Sequence, residues 1–498
     1  MMKVGFLGHN GFALGDPDAP VLVDPILFAR YGEEYTSSPV EIYPPRVILA
    51  DRIPAPAAVV VSHEHSDHFH LPSLDLLPRT TPIVVGPQMI QAVVDCVEHL
   101  GFTVHRLPFG KEAVFGDVAL TLHPAGAGTV LWESRVSQVH ARPARPSGLG
   151  GLFLGIDALV SESFVESVET GAVPAPVAIA VSNNAQITPP GVFGSLDVLT
   201  RADLDTAASG LPDRPVQHGL RILHEILDGT IRQCSAFRGA DLLICGGGFL
   251  KDYEEMGPFP FSEQRDLARA AQALVSDIQV IGPEPGDRYD VVDGRLRPDG
   301  RVGWIDTDRE RFAALRARRA GFLASARSIP MKRIVRDVTA ASEAGAVDAV
   351  QRGLGYLAKV ILLAELGGRM LAGHGSRGDT TPMLVRLLGE HATGNAAFAL
   401  DLRAGGFVRV PVPSLDEALS GYPFGIVVHA VDLAAVLSGE LQIWDVVGVG
   451  MRSWYEGESF GSPVALMFDA FGEQVRPDIA CRVYAGQLAG LEPRPERV

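Results

Sequence analysis

Through the first 300 residues the apolar positions fall in short runs rather than at helical spacing. Ala57-Ala58-Val59-Val60-Val61 is the clearest, and Val21-Leu22-Val23, Ile83-Val84-Val85, Val118-Ala119-Leu120-Thr121-Leu122, Leu152-Phe153-Leu154 and Asp241-Leu242-Leu243-Ile244 share its character. Runs this short and predominantly apolar predict strands buried on both faces. Glycine, proline or helical stretches such as 88–100 separate them, which predicts a layered α/β domain. Residues 152–163 predict a hairpin whose second arm ends in Val160-Ser161-Glu162-Ser163, with Asp157 at its turn.

Around residues 300–330 the texture changes. Residues 309–327 are rich in arginine and alanine and predict a helix, and 346–371 continue with apolar residues at helical spacing. Farther on, 396–402 and 407–411 predict a hairpin. The boundary is placed near residue 310, giving a domain over 1–310 and a smaller α+β domain over 311–498. No internal repeat or low-complexity segment is visible.

Composition narrows the function classes. Hydrophobic residues make up 47% and charged residues 20%, as in ordinary globular proteins. Forty-three basic against 59 acidic residues leave a formal charge of -16, which argues against a nucleic-acid partner. No apolar stretch approaches the roughly 20 residues that span a bilayer, so no membrane partner is expected. The N-terminal segment Met1-Met2-Lys3-Val4-Gly5-Phe6-Leu7-Gly8 runs directly into a strand without the apolar region of a signal peptide. Cys96, Cys234, Cys245 and Cys481 show neither C-x-x-C nor disulfide spacing. A cytoplasmic protein with reduced thiols is expected. Gly148-Leu149-Gly150-Gly151 and Gly246-Gly247-Gly248 lack the context of a dinucleotide fingerprint and are read as tight turns.

The chemistry is concentrated just after the 57–61 run. Ser62-His63-Glu64-His65-Ser66-Asp67-His68 places four metal-ligand side chains within six positions, on the loop at a strand's end. His63 and His65, two apart on extended backbone, can reach one metal, while Asp67 and His68 turn toward a second. This H-x-H-x-D-H pattern resembles the signature of the metallo-β-lactamase superfamily. The resemblance implies an αββα sandwich with two metal ions at one edge of its sheets.

Hydrolytic members of that superfamily complete the first site with a third histidine after a later strand. Here the stretch is Thr121-Leu122-His123-Pro124-Ala125, in which His123 precedes the place a ligand would take. Farther on lie Glu133, in Leu131-Trp132-Glu133-Ser134, and Glu162. The arrangement resembles a smaller branch, the oxygen-activating diiron monooxygenases of the chloramphenicol β-hydroxylase type and, in broad plan, diterpenoid monooxygenases of platensimycin and platencin biosynthesis. There a glutamate replaces the third histidine and a bridging carboxylate follows. Asp241 to Gly248, Met256-Gly257-Pro258-Phe259 and Gly282-Pro283-Glu284-Pro285 resemble further segments of the branch, although glycines 246–248 stand where an acidic residue is expected.

The resemblance implies Glu133 as the replacing ligand and Glu162 as the bridge, with Asp157 the rival for the bridge. It also implies a last histidine, for which His218 and His224 are the candidates. His224 shares a helical face with Leu220, Leu227 and Ile231, while His218 stands in Pro215-Val216-Gln217-His218-Gly219, which resembles the family's proline-proximal last histidine. His9, His70 and His140 are expected to support the site or the fold. Carboxylates favour harder iron over zinc. The expected activity is hydroxylation of an unactivated carbon of a specialised metabolite, with two iron ions as cofactor, O2 as co-substrate and an external reductase. The alternative is a dizinc hydrolase of lactonase or phosphodiesterase type. The substrate is expected to be a hydrophobic small molecule, free or linked to coenzyme A or a carrier protein. Ile426-Val427-Val428-His429 and Gly439-Glu440-Leu441 resemble sterol-carrier-like domains, which implies a substrate pocket, a lid or homodimerisation for the C-terminal domain.

Overall fold

In the computed structural model, residues 2–31, 40–129, 131–145, 150–182, 239–246, 249–251, 263–273, 275–325, 331–364, 367–368, 371–372, 381–446, 450–455, 463–472 and 475–491 are described. The apolar runs are strands of two sheets. One has eight strands in the order Arg295–Arg301, Asp287–Val292, Lys3–Gly8, Gly11–Leu14, Val21–Val23, Ala58–Val61, Ile83–Val85 and Val104–Arg106. The other has seven, in the order Glu112–Phe115, Val118–Pro124, Ser137–Pro143, Leu152–Leu154, Ala178–Ser182, Asp241–Cys245 and Val280–Ile281.

Side-chain alternation explains why these runs are apolar throughout. Ala58–Val61 pairs in parallel with Ile83–Val85, placing Val60 beside Val84. Both point into the core between the sheets, where they meet Leu120, Val139, Leu154 and Leu243. Val59, Val61, Ile83 and Val85 point the other way, onto an outer layer that includes Leu74, Val93, Val97 and Tyr484. Over the second sheet, Phe153, Ile179 and Leu242 meet Phe164 and Leu267. The central strands are therefore covered on both sides, and the layers run helix, sheet, sheet, helix. The expected αββα architecture is present, followed by additional α+β structure.

The hairpin expected over residues 152–163 is not formed. Leu152–Leu154 pairs antiparallel with Ser137–Pro143 and parallel with Ala178–Ser182, leaving no edge for a second arm. Past Gly155 the chain turns at Ile156, with φ +55, and Glu162 opens the helix Glu162–Glu169. Phe164, Val165 and Val168 are spaced for a helix rather than a strand, and Phe164 stacks on Phe153 with centroids 4.1 Å apart.

Beyond residue 331 a five-stranded sheet runs in the order Gly406–Val410, Ala396–Asp401, Met383–Leu388, Phe424–His429 and Met451–Tyr455. The hairpin expected near 396–411 is there, closing with Asp401 opposite Gly406. The predicted long helix starts earlier than expected, at Ala340, where Thr339 and Ser342 form a capping box. It packs with Ala430–Ser438 and Pro463–Phe471 on the sheet.

Two helices from beyond residue 308 contact the first domain. Helix Arg309–Ser325 is tied to the first domain: Phe312 lies 5.4 Å from Tyr43, while Arg309, Arg311 and Arg316 pair with Glu284, Glu41 and Glu263. Helix Pro477–Ala489 also returns to the first domain, where Ile479, Val483 and Tyr484 join the outer core. Among the described residues no helix is long and apolar enough to cross a membrane.

Candidate metal centre

Parallel strands Val21–Val23 and Ala58–Val61 end side by side, and the loop that leaves the second carries the histidines. His63 and His65 meet Glu133 there. His63 Nε2 lies 3.3 Å and His65 Nδ1 3.5 Å from Glu133 Oε2. The second group forms around His68, whose Nε2 is 2.8 Å from Asp157 Oδ2, 3.5 Å from Asp67 Oδ2 and 3.4 Å from His9 Nε2. His9 Nε2 is also 3.0 Å from Asp67 Oδ2. Within each group the donor atoms all lie within 4.8 Å of one another. The groups adjoin, since the His63 and His68 rings are 4.1 Å apart.

The polar atoms lack the partners that burial requires. His63 Nε2 and Glu133 Oε2 are buried and, despite their proximity, neither has a hydrogen-bond partner. A buried polar atom left so costs about 1–3 kcal/mol. A cation between them would satisfy both, so the donors present fit a metal ion. Four imidazoles and three carboxylates, divided into two adjacent groups, suit two ions rather than one.

Behind these atoms stands a layer of polar side chains that sets their direction. Asp24 is buried at the end of its strand with φ +43; its Oδ2 lies 2.8 Å from His68 Nδ1 and accepts the Ser62 hydroxyl at 2.6 Å. Its other oxygen accepts Ser62 N, and Ser62 Oγ lies 2.9 Å from His63 Nδ1. One carboxylate thus orients an imidazole in each group, leaving Nε2 to face inward. Asn10 Nδ2 and the Ser182 hydroxyl both donate to Asp157 Oδ1, so Oδ2 is turned toward His68. Gly246 N donates to the carbonyl of His9, so the first of the glycines read as a tight turn, with φ +64, fixes the His9 turn. Glu64, between the two histidines, points away and pairs with Arg135.

Burial and charge act in opposite directions here. Burial lowers His63 to about 4, with His68 adding to the effect. It raises Glu133 to about 8, against the pull of His65. Burial also opposes a charge on His68, but Asp67, Asp157 and Asp24 outweigh it and hold His68 well above the usual imidazole range. In the same way Asp67 is held well below the carboxylate range by His68 and His9. In the metal-free site a proton thus does part of the work of a cation.

The structure brings together His63, His65, Asp67, His68 and Glu133 and leaves Glu162 apart. The Glu162 carboxylate, at the first turn of its helix, accepts Ala127 N at 3.1 and 3.2 Å. Asp157 stands in its place, because the chain turns toward the site before that helix begins. His123 is also apart: its ring faces the outer layer, 5.0 Å from Phe164. His70 and His140 are buried and bond to Ser73 Oγ and the Gly150 carbonyl. His218 and His224 lie outside the described residues. His9, expected in support, instead lies among the converging donors. Its available signal was Gly8-His9-Asn10-Gly11, a polar turn directly after an apolar strand, with Gly8 at φ +96.

Residues 3–95 match a family model described as a beta-lactamase superfamily domain. That stretch, which carries His9, His63, His65, Asp67 and His68, is thus similar to a β-lactamase superfamily domain. No curated protein matches the chain in sequence. Among solved structures, a possible metal-dependent hydrolase from Veillonella parvula DSM 2008 is similar at 15% identity and TM-score 0.37, over 58% of this chain and 98% of that one. Isothiocyanate hydrolase from Delia radicum gut bacteria gives 12% and 0.36, over 58% and 98%. CmlA, a diiron beta-hydroxylase from Streptomyces venezuelae, gives 14% and 0.34, over 60% and 54%. Within the αββα domain the donors stand at the strand-end edge of the sandwich.

Proposed function

We propose that the protein is a nonheme diiron monooxygenase that hydroxylates an unactivated carbon of a specialised metabolite. The observation that carries this reading is Glu133, a carboxylate standing with His63 and His65 where a third imidazole would make a zinc-preferring set. When bound, a pair of iron ions supplies the activation of O2. One oxygen atom enters the C–H bond; the other leaves as water, taking two electrons and two protons, with a separate reductase as the electron source. The chain's own part is to hold His63, His65 and Glu133 on one ion and His9, Asp67, His68 and Asp157 on the other. Leu131 and Leu159, 48% and 55% exposed, lie two residues from Glu133 and Asp157, which supports an apolar substrate at the site's rim. The reading includes a cytoplasmic location, in which Cys96, Cys245 and Cys481 stay reduced.

Metal analysis of protein purified without added metal tests the proposal. About two irons per chain and the near-ultraviolet absorption of a diferric pair are expected, with O2 uptake when a reductant is supplied. Stoichiometric zinc, with lactone or phosphodiester hydrolysis and no O2 uptake, would replace this reading by that of a dizinc hydrolase.

A further inference from the structure

Glu133 is delivered by a single 3-10 turn, Leu131–Glu133, lying between two strands and belonging to neither. One such turn has too few backbone bonds to hold a side chain's direction by itself. The residue beside Glu133 is held from elsewhere. Trp132 packs against the C-terminal core, its ring 5.5 Å from that of Phe468 and inclined at 45°. The carboxylate of Asp469, next along helix Pro463–Phe471, which packs on the Glu133 turn, is directed at the backbone N–H of Trp132.

Asp469 is otherwise hard to account for. It is 2% exposed, in a helix that reads Pro-Val-Ala-Leu-Met-Phe-Asp-Ala-Phe, and its Oδ1 has no hydrogen-bond partner. Burying a carboxylate is costly, and an aliphatic residue there would serve the C-terminal core better. What the carboxylate provides is a negative group facing the N–H of the first domain's Glu133 turn. Arg135, two residues past Glu133, pairs with Glu64 on the histidine loop, and Ser137 N donates to the Ser62 carbonyl. The turn is therefore gripped by the histidine loop on one side and by the C-terminal domain on the other.

We infer that Asp469 and Phe468 are positioning residues for Glu133, so that the C-terminal domain sets the affinity of one metal site through Trp132. The inference rests on the reading of Glu133 as a ligand. It assigns this domain a part in the metal centre itself, in addition to any role in binding substrate.

Titrating the metal-free full-length protein with Co(II) alone, followed by its visible absorption and by calorimetry, resolves the two sites. Asp469→Leu, which the apolar surroundings accommodate, removes the acceptor. It is expected to weaken one binding event by about 10–100-fold and leave the other unchanged. Asp469→Asn keeps an acceptor oxygen and is expected to restore both affinities. Two unchanged events in Asp469→Leu, or two events weakened alike, would overturn the inference. Glu133→Ala in the same titration separates the premises. If it too leaves both events intact, the ligand reading of Glu133 has failed; if it alone weakens one event, only the positioning role has.

Discussion

Asp24 is not among the converging donors, yet two of the imidazoles depend on it. Its two oxygens take Ser62 N, the Ser62 hydroxyl and His68 Nδ1, and Ser62 passes the constraint on to His63. A non-glycine residue at φ +43 carries backbone strain, which is tolerated where the surrounding bonds over-determine it. In Asp24→Asn one side of the carboxylate becomes an NH2 group facing donors, so an imidazole loses its orienting acceptor. Metal affinity is expected to fall about 10–100-fold, as measured by metal retained after dialysis against a competing chelator. Glu162→Gln makes the contrast, because the Glu162 oxygens are engaged by Ala127 N rather than by the histidines. Its metal content should equal that of the wild type. A loss as large as that of Asp24→Asn would return Glu162 to the centre.

At the scale of elements, the histidine loop and the Glu133 turn form a site that binds protons when metal is absent. Burial places the Glu133 carboxyl near 8, above its ordinary 4.5, so its contribution to stability is full below about 4.5 and is lost as pH rises through about 8. His68, held above its ordinary 6.5 by three carboxylates, shifts stability in the same direction. A metal ion must displace these protons, so affinity for Zn(II) or Co(II) is expected to rise from pH 6 to pH 8 while the metal-free protein loses stability over the same interval. Proton release in weakly buffered solution and urea unfolding measure the two trends; an affinity flat across that range would contradict the assignment. Parts of this site were legible in the chain because they are local. His63, His65, Asp67 and His68 are contiguous, and the strand before them is a run of valines. His9 was not legible as a donor, because strand pairing brings it to residues more than fifty positions away. The course of the chain after Asp157 is obscured for another reason: Val160 to Ser163 taken alone fits a strand, whereas Phe164, Val165 and Val168 set a helical period.

For the whole molecule, the end of the described chain reaches back to its beginning. Helix Pro477–Ala489 lies in the outer core, where the fully buried Tyr484 donates its hydroxyl to the Glu64 carbonyl at 3.0 Å. Its ring meets Phe69 edge-on at 5.3 Å, and Gln487 Oε1 accepts Leu71 N at 2.9 Å. No local signal in the sequence reveals this return, since an amphipathic helix does not say which core it covers. The division near residue 310 is expected from composition, and the apolar contacts add the last helix to the first sheet's outer layer. The two sides of the candidate metal centre thus contact separate C-terminal helices, one beside the Glu133 turn and one beside the histidine loop. If Tyr484 is part of the first domain's core, Tyr484→Ala should destabilise that domain by about 3–5 kcal/mol, as for other large aromatic truncations. Tyr484→Phe keeps the ring and leaves the Glu64 carbonyl without its donor, at a cost of about 1–3 kcal/mol. Urea unfolding followed by the signal of cobalt bound at the histidine loop reports on this domain specifically. An unshifted midpoint in Tyr484→Ala would mean that the helix is an appendage, and that the histidine loop is held by the N-terminal sheets alone.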